Sequence, residues 1–114
     1  MIKKEKGIIF GIVIILIVLA IVGIFLLKGN GVTEEEAKCI AEKSVLYVSK
    51  TCGHCATQKQ ILGDYLKYFN IIDCIDEKDK CISAGIVGVP TWIINGKKYE
   101  GVRELNELKK LAGC

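Results

Sequence analysis

Val45-Leu46-Tyr47-Val48-Ser49-Lys50-Thr51-Cys52-Gly53-His54-Cys55 is the stretch on which the fold turns. Its first four residues are branched or aromatic and read as a buried strand. Its last four form a Cys-x-x-Cys. Further on, Ile61, Leu62, Tyr65, Leu66 and Phe69 recur at helical spacing, which predicts a helix from about Cys52 to Tyr68. A strand that delivers two cysteines to the first turn of a helix is a specific context for thiol chemistry. The helix N-terminus presents free N–H groups and partial positive charge, and both stabilise a thiolate. Cys52, at the mouth of the helix, is the expected nucleophile. Cys55, one turn in and shielded, is the expected resolving thiol.

The same motif has other uses. A zinc site needs two more ligands, and Cys74 and Cys81 lack the close pairing such sites show. A purely structural disulfide is a second use, but so short a loop at a helix start is a poor staple. A non-catalytic module holding a soft metal is a third. His54 is the only histidine. As an ordinary surface residue it would have no role. Between two cysteines, its dipole or charge adds to stabilisation of the Cys52 thiolate, which makes the corresponding disulfide a stronger oxidant.

Moving toward the C-terminus, Asn70–Cys74 reads as a second strand, and Asp76 can cap a helix from about Glu77 to Ala84. Gly88-Val89-Pro90-Thr91 holds the only proline. A generic turn is one reading. The sharper one is a cis Val89–Pro90 bond, which would leave the Val89 backbone free to pair with a substrate strand beside Cys52. Thr91–Ile94 is a third strand. Asn95-Gly96 is a strong hairpin signal, with Lys97–Tyr99 returning. Leu105, Leu108 and Leu111 mark one face of a closing helix. Moving toward the N-terminus, Thr33 followed by Glu36 reads as a capping box that opens a helix to about Lys43. The order is α-β-α-β-α-β-β-α. The first two strands should be parallel with a right-handed crossover, and the last two antiparallel.

Ahead of this region, Gly7–Leu27 carries no charged residue. About 20 apolar residues span a bilayer core. A buried core helix is the alternative, but the remaining chain, about 80 residues, cannot surround a helix that is apolar on every side. A cleaved signal peptide is another; it would have a shorter apolar run and an A-x-A-like site. The organisation expected is an anchor at 1–28, a short joint at 29–32 around Gly29-Asn30-Gly31, and a globular domain at 33–114. Lys3, Lys4 and Lys6 flank one side of the anchor and Lys28 the other. That asymmetry favours a cytoplasmic N-terminus and a domain outside the cell membrane. The net charge of +3 is scattered, with no basic stretch interleaved with aromatics, which argues against nucleic acid as a partner.

Cys52-Gly53-His54-Cys55 after a strand, with Gly-Val-Pro-Thr-Trp-Ile-Ile-Asn-Gly-Lys at 88–97, resembles the thioredoxin superfamily over roughly 33–114. The fold class implied is α/β, a thioredoxin-like βαβ plus hairpin and closing helix, here preceded by one transmembrane helix. The nearest likeness is to thioredoxin-like domains fused to, or partnering, bacterial and archaeal homologues of vitamin K epoxide reductase. Those share Pro-Thr-Trp-Ile-Ile-Asn-Gly, a following Tyr-x-Gly-Val-Arg (here Tyr99–Arg103) and an extra pair like Cys74 and Cys81. Cys-Gly-His-Cys itself is the form seen in protein disulfide isomerases. The Pro-Thr-Trp stretch is also similar to glutaredoxins, but Glu100-Gly101-Val102-Arg103 stands where they carry a glycine-rich clamp. Thr51 replaces the tryptophan of thioredoxins proper, and Leu46 lies near the place of their buried acid.

The resemblance implies catalytic roles for Cys52, Cys55 and Pro90. With them, His54 is expected to tune the thiolate, and Val89 and Thr91 to meet the substrate. The function implied is a membrane-anchored thiol–disulfide oxidoreductase that forms or isomerises disulfides in exported proteins. No cofactor is required beyond the Cys52–Cys55 pair. The implied membrane partner is a quinone-linked oxidoreductase of the vitamin K epoxide reductase type. An extracytoplasmic reductant, such as one serving cytochrome maturation, is the alternative. Six cysteines are dense for a chain of 114 residues, which suits an oxidising compartment. The four outside the motif allow three pairings. Cys74 ends a strand and Cys81 lies on the next helix, so they can be neighbours, as the likeness also suggests. That would leave Cys39 and Cys114 to each other. Free buried thiols are the other possibility.

Overall fold

The computed structural model describes residues 2–27 and 31–114. The side chain of Lys3, all of Lys28, and Gly29 and Asn30 of the expected joint lie outside the described residues. The chain divides into two units, 1–31 and 32–114.

In the first unit, α1 (Ile2–Leu27) contains a 23-residue stretch, Lys4–Leu26, none of which is buried. At about 1.5 Å per residue it is long enough, and apolar enough, to cross a membrane.

The second unit begins one residue earlier than the sequence suggests. Val32, expected in the joint, is buried in the core, and its carbonyl accepts from the Tyr65 hydroxyl at 2.9 Å. Thr33 caps α2 (Glu34–Lys43), its hydroxyl accepting the Glu36 N–H at 3.2 Å. The chain then enters β1 (Ser44–Val48), α3 (Gly53–Leu62), β2 (Asn70–Asp73), α4 (Lys78–Ser83), β3 (Thr91–Ile94), β4 (Lys97–Glu100) and α5 (Leu105–Ala112).

The four strands form one mixed sheet in the order β2-β1-β3-β4. β1 and β2 are parallel, joined by the α3 crossover, while β3 pairs antiparallel with both β1 and β4. Asn95 and Gly96 both have positive φ, 50° and 80°, as a tight hairpin with matching twist requires. Side chains alternate across the sheet. Leu46, Val48, Trp92 and Ile94 face the main core, which α2, α3 and α5 close with Ile40, Leu62 and Leu108. Tyr47 and Ile72 face the other side, under Cys81 of α4.

Two expectations are corrected. The helix opened by Cys52 does not run unbroken to Tyr68. It ends at Gly63, whose φ of 53° and ψ of −128° leave the helical region, and a tighter 3-10 segment follows over Gly63–Tyr68. Glycine reaches that conformation without a Cβ clash. Asp76 does not cap α4 either. The capping position is Glu77, with no side-chain bond, and Asp76 instead pairs with Lys50 at 2.7 Å.

Candidate active site

The sheet brings the two critical segments together. Tyr47 of β1 is opposite Thr91 of β3 in an antiparallel pair. The residues that leave β1 therefore emerge at the same end as those that enter β3. Cys52 follows β1, and Val89 and Pro90 precede β3. The Val89–Pro90 bond is cis. The Cys52 thiol donates to the Val89 carbonyl at 3.6 Å.

Cys52 and Cys55 are both free thiols. Cys52 occupies the N-cap of α3, and its Sγ accepts the Cys55 backbone N–H at 3.2 Å. The cap aims the unpaired amides of the first turn at sulfur. The side-chain hydrogen bond from Cys55 is the main reason that the Cys52 pKa falls below the ordinary thiol value; the backbone N–H groups of Cys55 and His54 add to it, against some burial. Cys55, 1% exposed, behaves oppositely. Burial first, and then the hydrogen bond with Cys52, push its pKa up to about 11; the Ser49 backbone and the Lys59 charge offset this in part. The pair is thus split into an accessible sulfur that ionises early and a buried one that ionises late, the division of labour that thiol–disulfide exchange needs.

The remaining expected residues fall as follows. His54 is exposed, and its contribution at Cys52 comes through its backbone N–H. Pro90 is buried and Val89 half-buried beside Cys52. Thr91, expected to meet the substrate, is turned inward instead: it is 2% exposed, and its hydroxyl donates to the Gly88 carbonyl at 2.6 Å. It shapes the loop rather than its surface. Leu46, near the place of the thioredoxin acid, is fully buried and lies opposite Trp92.

Cys74 and Cys81 are joined by a disulfide, as are Cys39 and Cys114. The first holds the end of β2 to α4. Its loop also reaches the active-site end, because the Cys74 N–H donates to the Val48 carbonyl at 2.8 Å and Asp76 pairs with Lys50. The second ties α2 to the C-terminal residue. Among the described residues, no group of three or more potential metal ligands is assembled.

Gln58 was not legible in the sequence. It is fully buried one turn beyond Cys55, with its amide bonded to Trp92 and to the backbone of Arg103. A glutamine on an amphipathic helix ordinarily reads as solvent-facing. The only available signal was its place three residues from both Cys55 and Ile61, on the same face of the helix.

No protein-family model matches the chain. It is similar to the thiol-disulfide oxidoreductase LTO1 of Arabidopsis thaliana, 36% identical over 77 residues, which covers 60% of this chain. The match spans 20% of that curated relative's length. Among solved structures, a single-site mutant of thioredoxin from Halobacterium salinarum superposes with a TM-score of 0.53 at 17% identity, covering 71% of this chain and 82% of the other. Oxidised thioredoxin from Plasmodium falciparum superposes with a TM-score of 0.45 at 20% identity, covering 72% of this chain and 90% of the other. The fold is thioredoxin-like, and the similarity to a thiol-disulfide oxidoreductase supports a redox function.

Proposed function

We propose that this chain is a membrane-anchored thiol–disulfide oxidoreductase that forms or isomerises disulfides in exported proteins through Cys52 and Cys55. The observation that carries the reading is the split between the two sulfurs: Cys52 at the helix mouth with a lowered pKa, Cys55 buried beneath it with a raised one.

In the oxidising direction, a substrate thiolate attacks Cys52 of the 52–55 disulfide. The S–S bond breaks and Cys55 leaves with the electron pair, taking a proton. A second substrate thiolate then displaces Cys52. The substrate has lost two electrons and two protons, and the pair is now a dithiol. To restart, the Cys52 thiolate attacks a disulfide on a partner and Cys55 resolves the mixed disulfide. For isomerisation, Cys52 attacks a wrong substrate disulfide and is later displaced by another substrate thiol. Neither cycle needs a cofactor on this chain.

Location and partner belong to the same proposal. The α1 helix supplies the anchor, and the lysine asymmetry of the sequence favours a domain outside the cytoplasm. A tethered oxidant is best reoxidised within the same membrane. The sequence likeness favours a quinone-linked protein of the vitamin K epoxide reductase type.

The reduction potential of the 52–55 pair, equilibrated against glutathione, tests the reading. A value near that of protein disulfide isomerase, about −180 mV, is expected. A value near that of thioredoxin, about −270 mV, would replace the oxidant with an extracytoplasmic reductant.

A further inference from the structure

Gln58 has 0% of its surface exposed, yet it carries an amide. Its Oε1 accepts from Trp92 Nε1 at 3.0 Å and from the Arg103 backbone N–H at 2.7 Å. Its Nε2 donates to the Arg103 carbonyl at 2.9 Å. A buried backbone N–H and C=O from one residue both need partners, and an amide offers donor and acceptor side by side. A carboxylate offers only acceptors.

In the dithiol these bonds belong to a closed circuit around the pair, of which only the Cys52–Val89 link needs a thiol proton and is lost in the disulfide. Gln58 sits on α3 one turn beyond Cys55. It holds Arg103. Two residues before Arg103, the Gly101 N–H donates to the Pro90 carbonyl at 2.8 Å. Pro90 follows Val89, whose carbonyl accepts the Cys52 thiol at 3.6 Å. Cys52 in turn caps α3. On its outer side, the Arg103 guanidinium secures the same loop, donating to Glu107 at 2.7 Å and to the Glu100 carbonyl at 2.8 Å.

From this circuit we infer that Gln58 is a positioning residue: by clamping the Gly101–Arg103 loop to α3, it sets the gap between Cys52 and the Val89–Pro90 rim for polypeptide substrates. The inference rests on the proposed oxidoreductase reading. A polypeptide must fit between sulfur and rim, whereas a small dithiol only has to reach Cys52. Loosening the clamp should therefore discriminate between the two.

The test compares the full chain with its Gln58→Met and Gln58→Glu variants, all carrying the 52–55 disulfide. The rate constant for oxidising a reduced, unfolded polypeptide with two thiols is divided by that for dithiothreitol. Misplacement by about 1 Å can cost about a hundredfold, so a shift of about half that corresponds to about tenfold. Gln58→Met is expected to lower the ratio by about that factor at neutral pH. Gln58→Glu should match the wild type where its carboxyl is protonated, because the acid then donates to the Arg103 carbonyl as the amide does. Its ratio should fall as the carboxyl ionises. A role confined to stability would slow both substrates alike, so a ratio unchanged in both variants at every pH overturns the inference. If neither variant folds, Arg103→Ala, which loosens the loop from its outer side, carries the test; it should lower the ratio, and an unchanged ratio is again fatal. A wild-type disulfide that oxidises neither substrate would instead overturn the functional reading itself.

Discussion

The Cys52 Sγ accepts the backbone N–H of Cys55 at 3.2 Å, so the more accessible sulfur of the pair, itself half-buried, is the N-cap of α3. One contact therefore does two things. It starts the helix, and it ties the ionisation of Cys52 to the presence of the Cys55 segment. The buried partner is left with the opposite shift.

That opposition makes the stability of the dithiol form depend on pH in a defined direction. In the folded chain Cys55 holds its proton up to about 11, whereas an ordinary thiol releases it near 9.0. Between those values the unfolded chain has lost the proton and the folded chain has not. Stability is thus intact below the lower value and falls as pH rises toward the upper one. Two pH units correspond to roughly 3 kcal/mol at most. Cys52, with its lowered pKa, acts in the other sense, adding stability as pH climbs toward 9.0. Urea midpoints of the reduced wild type and of Cys55→Ala, followed from pH 8 to 11, should diverge, with the wild type losing more. Parallel curves would contradict the assigned burial of Cys55.

The two accessory disulfides should differ in their effect on stability. Cys39 and Cys114 are 75 residues apart in sequence, and Cys74 and Cys81 only 7. Loop-closure entropy then gives about 4 to 5 kcal/mol for the long loop and about 2 to 3 for the short one. Paired Cys→Ser replacements, compared by denaturant unfolding without reductant, should lower stability in that order. Equal losses, or the reverse order, would point to native-state interactions rather than chain entropy as the dominant effect.

Gly63 marks where the sequence pattern stopped being a guide. The spacing of Ile61, Leu62, Tyr65, Leu66 and Phe69 suits a continuous helix, since the 3-10 segment keeps most of those side chains inward. What breaks the helix is backbone geometry, which hydrophobic periodicity does not record. The strands, the hairpin at Asn95-Gly96 and the place of Cys52 were legible because each rests on local chemistry: branched residues, positive-φ residues, a cysteine at a helix mouth. Gln58 was not, because it depends on what a distant residue, Arg103, presents to it, and the inward turn of Thr91 was not, because its local contact with the Gly88 carbonyl three residues back leaves no mark in the hydrophobic pattern. Gly63→Ala should lower stability by about 1 to 3 kcal/mol, the cost of forcing φ 53° and ψ −128° on a residue with a Cβ. The site around Gly63 is open, so sterics with neighbours do not enter. Gly53→Ala, at the equally open first position of α3, should be neutral or gain a few tenths of a kcal/mol. Thermal or urea unfolding distinguishes them; similar effects at both positions would mean that backbone conformation is not what Gly63 supplies.

His54 can act on Cys52 in two ways, through its ring or through its backbone N–H. The ring is exposed, and the contribution that lowers the Cys52 pKa from this residue is its backbone N–H. His54→Pro deletes that donor and the ring together, at a helix position where proline's fixed φ is tolerated. His54→Ala deletes only the ring. If the N–H dominates, His54→Pro should raise the Cys52 pKa and His54→Ala should leave most of the shift in place. The potential follows with a definite sign. A less stable thiolate makes the dithiol less stable relative to the disulfide, so the pair becomes more reducing. Each tenfold change in that equilibrium moves a two-electron potential by about 30 mV. His54→Pro should therefore shift the potential toward the thioredoxin side by tens of millivolts, and His54→Ala by clearly less. The pH dependence of Cys52 alkylation and glutathione equilibration measure the two quantities. Should His54→Ala move both as far as His54→Pro does, the imidazole rather than the amide is the source of the effect.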